Sequence, residues 1–139
     1  MSAQNEAISS PESAASTATS VGPDGNVLGA LSYILSPIGG ILVYLLEEEN
    51  EFARFHAAQS IVFGVAALAI STTVWVFSTV FSLLMPDLLG FLVWLISFLA
   101  QGGIGLVLFV MWAYLFIMAF QGKRTSLPVV GSIAESYLL

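Results

Sequence analysis

The residues able to do chemistry crowd into one short stretch, Glu47–Ser60, which reads EEENEFARFHAAQS. It holds four of the nine acidic residues, one of the three basic residues and the only histidine. His56, Gln59 and Ser60 stand three and four apart, so on a helix they share a face. There His56 could ligate a metal or haem, or titrate as a pH switch. A zinc site needs about four ligands, and the chain has neither a cysteine nor a second histidine. Haem needs a pocket that the sequence does not declare. The expectation is a histidine that hydrogen-bonds at a helix start or on a partner surface. Phe52 and Phe55, three apart, would anchor an adjoining face in a membrane interface.

The charges pose a second problem. Glu47–Glu49 follow directly on an apolar run, and acids at a helix C-terminus oppose its macrodipole by roughly a few tenths of a kcal/mol each. Glu51 is better placed, in a first turn with Asn50 as N-cap. Arg54, Lys123 and Arg124 are the only basic residues, so either Glu47–Glu51 pair with Arg54 and with Lys123 or Arg124 in an ion-pair clasp, or they stay a solvated charge run worth little. The candidate contact surface is then Arg54, Phe55, His56, Gln59, Lys123 and Arg124.

Catalytic groupings are missing. There is no cysteine nucleophile and no serine–lysine pair within one apolar run, and the Gln101-Gly-Gly-Ile-Gly run follows no strand signal. No apolar run carries an ionisable residue in its interior, which disfavours proton relays and charge-coupled transport. The expectation is a protein that is not an enzyme and holds no cofactor or metal.

The elements that position these residues follow from composition. Of 139 residues, 58% are hydrophobic and 9% charged, against about a quarter charged in soluble domains. Lipid is the matching solvent. The net charge of −6 disfavours nucleic acid as a partner. The expected partners are the bilayer, and the chain itself or other membrane proteins.

Residues 1–26 are rich in serine and alanine, lack apolar periodicity and read as a disordered acidic tail. They hold no Lys or Arg, so they do not read as a signal peptide. Residues 27–139 read as a helical membrane domain. Leu28–Leu46, about 28 Å as a helix, is the first expected span, with a kink at Pro37 before Gly39 and Gly40. Ile61–Met85 is the second; Ser60, Gly64, Ala67 and Ser71 form a small-residue stripe for close helix packing. Pro86-Asp87 interrupts, and Leu88–Phe120 is the third, about 50 Å if continuous, with a weak point at Gln101–Gly103. Gly122 reads as a C-cap, and Ser132 with Glu135 as a capping box opening a short interfacial helix.

Three crossings bring Arg54, Lys123 and Arg124 to one side, the cytoplasmic one, with the N-terminal tail outside; four would split them. The expected fold is an all-α membrane protein of three transmembrane helices, the third long and kinked, with four as the alternative. Its expected place is the cell membrane, as a multi-pass protein. It would work as a structural or protein-interaction component; the alternative is a pore or translocation subunit whose path Ser71, Thr72 and Thr73 would line.

The sequences EENEFARFHAAQS and GKRTSLPVVGSIAE resemble the small prokaryotic membrane proteins grouped with the twenty-kilodalton Tic subunit of the chloroplast inner-envelope import machinery. The likeness runs from Leu28 to Glu135 and is sharpest at Arg54-Phe55-His56-Ala57 and Gln59-Ser60. Gly122-Lys123, Leu127-Pro128, Gly131 and Ala134-Glu135 support it. The resemblance implies an integral membrane protein of three or four helices and no enzyme. The chloroplast relatives look four-helical, whereas the charges here favour three spans.

Overall fold

Proline, glycine and the charged stretch divide the apolar sequence into α-helices in the computed structural model, which describes residues 13–139. After a 3-10 turn at Ser13–Ser16 come α1 (Gly25–Leu31), α2 (Ile38–Leu46), α3 (Glu51–Leu84), α4 (Asp87–Phe120) and α5 (Val130–Tyr137). Among the described residues all regular structure is helical, in keeping with the all-α expectation. There are two compact units, one of residues 13–65 with Trp112–Leu139, the other Ala66–Met111.

The first unit departs most from expectation. Leu28–Leu46 is not one helix but two, α1 of 7 residues and α2 of 9. At about 10 and 14 Å neither can cross a hydrocarbon core of about 30 Å. Proline disfavours helix at the residue before it, and the chain turns at Leu35, which adopts φ 55, ahead of Pro37. The two helices fold back on each other alongside α3. The Gly25 backbone faces the Asn50 side chain at one end. At the turn, Ser36 Oγ donates to the Ser60 carbonyl at 2.7 Å. Asn50 to Ser60 is about 15 Å of helix rise, so residues 28–46 run along the start of α3 and return.

A turn in an apolar setting exposes carbonyls that need donors. Ser60 Oγ donates to the Ser32 carbonyl at 2.6 Å, and Trp112 Nε1 to that of Tyr33 at 2.8 Å. Two glycines permit the close approach. A Cβ at Gly40 would stand 2.8 Å from the Ala57 carbonyl, and one at Gly64 2.5 Å from the Pro37 nitrogen. The first half of the small-residue stripe thus packs against this turn.

The N-terminal segment that reads as a disordered tail is described only in its second half. Residues 1–12 lie outside the described residues, but 13–26 pack on the unit: Ala15 is buried, and Asn50 Nδ2 donates to the Ala14 carbonyl at 2.7 Å. Ser20 Oγ donates to Glu47 Oε2 at 2.9 Å, and Asn26 Nδ2 to the Phe120 carbonyl at 2.9 Å. Contacts this short hold residues 13–26 against the charged stretch. At the far end Gly122, with φ 78, caps α4: the Gly122 and Lys123 N–H groups donate to the Ala119 and Met118 carbonyls. The expected capping box is absent. α5 opens at Val130, so Ser132 is already helical and its Oγ donates back to the Val129 carbonyl.

The second unit comprises the rest of α3 and α4, joined at Met85–Pro86. Asp87 opens α4, where its charge suits the positive helix end. Ser82 Oγ donates to the Gly90 carbonyl at 3.0 Å. α4 runs unbroken through Gln101–Gly103, where the sequence suggested a weak point. α3 and α4, of 34 residues each, are long and apolar enough to cross a membrane. Each is about 50 Å long, so part of each extends beyond a hydrocarbon core. Large apolar side chains such as Trp75, Leu99 and Leu106 lie exposed along them. Two candidate crossings stand where the sequence suggested three.

Candidate functional site

The start of α3 carries the chemistry. Asn50 caps it as expected, its Oδ1 accepting from the Ala53 N–H at 3.0 Å. The spacing 52, 55, 56, 59, 60 then turns one helix face inward, and Phe52, Phe55, His56, Gln59 and Ser60 are all fully buried.

His56 is held at both ring nitrogens. Nε2 lies 3.0 Å from the Lys123 carbonyl, which can only accept, so Nε2 carries the proton. Nδ1 therefore accepts from the Tyr33 hydroxyl, 3.0 Å away. That hydroxyl in turn accepts from Gln59 Nε2 at 3.0 Å. Gln59 Nε2 also donates to the Thr125 carbonyl at 2.8 Å, and Gln59 Oε1 accepts from the Leu127 N–H at 2.8 Å. Phe52, Phe55 and Tyr33 surround the imidazole, with centroids 4.6, 5.1 and 5.8 Å away.

This network joins α3, the turn after α1 and the linker 123–127. The expected tie between the charged stretch and the C-terminal segment therefore exists, but in another form. Its bonds run from His56 and Gln59 to backbone groups rather than from glutamates to Lys123 or Arg124. Glu47 explains why. Its Oε1 accepts the N–H groups of Asn50 at 2.8 Å and Glu49 at 3.0 Å, and its Oε2 accepts from Ser20. Burial pushes the Glu47 carboxyl up, but the Asn50, Ser20 and Glu49 donors outweigh it and hold it below its ordinary value of 4.5.

The arginines serve other partners. Arg54 Nη1 donates to the carbonyls of Glu47 at 2.6 Å and Tyr44 at 3.3 Å, filling orphan acceptors at the end of α2. Arg54 is thus the cation that offsets the unfavourable acids there. Its guanidinium lies 4.8 Å from the Tyr44 ring centroid, and that of Arg124 lies 4.2 Å from the Phe55 ring. Arg124 pairs with Glu135 at 3.1 Å. Lys123 is exposed and contributes only its backbone to the network.

The six candidate residues thus divide. Phe55, His56 and Gln59 are interior, while Arg54, Lys123 and Arg124 reach the surface, so they do not form one contact face. Sequence reasoning missed Tyr33, Ser32 and Trp112. The available signal was Tyr33 itself, since a phenol in an apolar run needs a hydrogen-bond partner. Both His56 nitrogens are engaged, and among the described residues no three His, Asp or Glu side chains gather to hold a metal ion. The network can order backbone; it offers no free base.

Residues 24–134 match the magnetosome magnetite crystal formation protein family, a span that encloses nearly all of this network. The chain belongs to this family. It is also similar to a UPF0132 membrane protein of Methanocaldococcus jannaschii, 38% identical over 86% of this chain and 93% of the relative. A UPF0132 membrane protein of Archaeoglobus fulgidus is 37% identical over 81% of this chain and 94% of that relative. A second M. jannaschii protein of the same designation is 33% identical over 84% of this chain and 72% of its own length. No solved structure matches. The relatives' names agree with the apolar α3 and α4: this is a small prokaryotic membrane protein family. None of these names is that of an import subunit.

Proposed function

We propose that this family member is a non-enzymatic interaction component of the cell membrane, acting by contact with other membrane proteins or with a second copy of itself. One observation carries the reading. Within Ala66–Met111, a groove of about 180 Å³ is lined in part by Trp75, Ser78, Thr79, Ser97 and Gln101. Gln101 Nε2 donates to the Ser71 carbonyl at 3.4 Å, while its buried Oε1 has no hydrogen-bond partner. An unsatisfied buried acceptor costs about 1–3 kcal/mol. A donor from a neighbouring transmembrane helix would satisfy it. Cross-linking in detergent and in membranes tests this: the wild type forms an adduct and Gln101→Leu loses it. A wild type that stays monomeric and partnerless in both would refute the reading.

For topology we infer two crossings, α3 and α4, with the helix pair α1–α2 dipping into the membrane and returning. Arg54, Lys123 and Arg124 all belong to the first unit, which supports a cytoplasmic position for it.

A pore or translocation subunit is the second reading, supported by the resemblance to the Tic-subunit group and by the polar run Ser71–Thr73 beside the Gln101 contact. Liposomes carrying the protein would then pass ions or peptides; impermeable ones remove this reading. The family's description names magnetite crystal formation. A membrane component of such a process would still act through the contacts proposed here.

A further inference from the structure

Two of the three cations in this acidic chain line one recess. We propose that it binds the phosphodiester of an anionic membrane lipid. The recess, about 470 Å³, is formed by Tyr44, Glu51, Arg54, Arg124, Leu138 and Leu139. Tyr44 closes one side through a hydrogen bond to the Leu138 carbonyl.

The arginines are prepared for such a ligand. Each guanidinium is steadied against an aromatic ring, Arg54 on Tyr44 and Arg124 on Phe55. Both hydrogen bonds of Arg54 leave from Nη1, and the ion pair of Arg124 uses Nη2. The other N–H groups of each fork remain for phosphate oxygens, the geometry guanidinium serves best.

Charge narrows the ligand. The two arginines face Glu51 and the Glu135 that pairs with Arg124, a formal balance of zero that tolerates a phosphodiester monoanion better than free phosphate, mostly a dianion at neutral pH. Position narrows it again. Glu51 and Arg54 lie in the first turn of α3, ahead of the apolar run that starts at Ile61, so on the topology inferred above the recess opens at headgroup depth. Leu138 and Leu139 supply apolar flanks for the glycerol end of the lipid.

Native mass spectrometry of the full chain, purified from an equal mixture of phosphatidylglycerol and phosphatidylcholine, tests the proposal. The wild type should retain one phosphatidylglycerol in preference to phosphatidylcholine. Arg124→Gln, chosen because Arg54 also holds the end of α2, should lower that retention by about fivefold. Glu51→Gln should raise it. Inorganic phosphate should not displace the lipid; if it does, the recess is a free-phosphate site and the proposal fails. Equal retention of both lipids, or undiminished retention by an Arg124→Gln protein of unchanged melting temperature, overturns it too. Retention is read in detergent and does not depend on the number of crossings, so the topology can fail separately.

Discussion

Gln59 commits its whole carboxamide to the interior: one bond to Tyr33, one to Thr125 and one from Leu127. Gln59→Leu would preserve most of the volume but strand the Thr125 carbonyl and the Leu127 N–H. We expect a loss of about 2–4 kcal/mol, read as a lower unfolding midpoint in detergent. A loss below about 1 kcal/mol would mean that the linker does not depend on this side chain. Glu47 gives the pH dependence. Its carboxyl titrates lower in the folded than in the unfolded chain, so its contribution is present above the unfolded value and lost as pH falls through the folded one. The melting temperature should therefore drop as pH falls below 4.5, with a smaller drop in Glu47→Gln. Parallel curves for the two proteins would remove Glu47 as the cause.

At the scale of elements, α3 is the ruler against which the other pieces are set. Much of this was legible in the sequence. Asn50 as a cap, Gly122 as a stop, Pro86 as a break and the shared face of His56, Gln59 and Ser60 all depend on local rules. Residues 28–46 were not legible, because nineteen apolar residues suit a crossing as well as a folded pair of short helices. What decides is tertiary: Ser60 and Trp112, distant in sequence, satisfy the carbonyls that a turn at Leu35–Pro37 exposes. The glycines give a matched test. Gly64→Val would press into the Pro37 backbone and should destabilise the fold by several kcal/mol. Gly102→Ala meets nothing within 4 Å and should leave stability unchanged or raise it by up to about 1 kcal/mol. The reverse ranking in a detergent melt would show that the α1–α2 pair does not pack here. The ion-pair clasp failed for a similar reason: opposite charges suggest pairing, yet backbone donors and acceptors nearer in the chain took Glu47 and Arg54 first.

In the whole molecule, hydrogen bonds from Asn50 to Ala14 and from Asn26 to Phe120 hold residues 13–26 against the charged stretch and the end of α4. On the proposed topology these segments and 122–139 share one side of the membrane. Three crossings would separate the N-terminal segment from the other two. The absence of cysteine permits a direct measurement, because single introduced thiols carry no background. Ala18→Cys, Ser132→Cys and Asp87→Cys all sit at exposed positions. With an impermeant thiol reagent on intact cells, Ala18→Cys and Ser132→Cys should be protected alike, while Asp87→Cys, at the α3–α4 turn, is labelled. Labelling of Ala18→Cys with protection of Ser132→Cys would contradict the account.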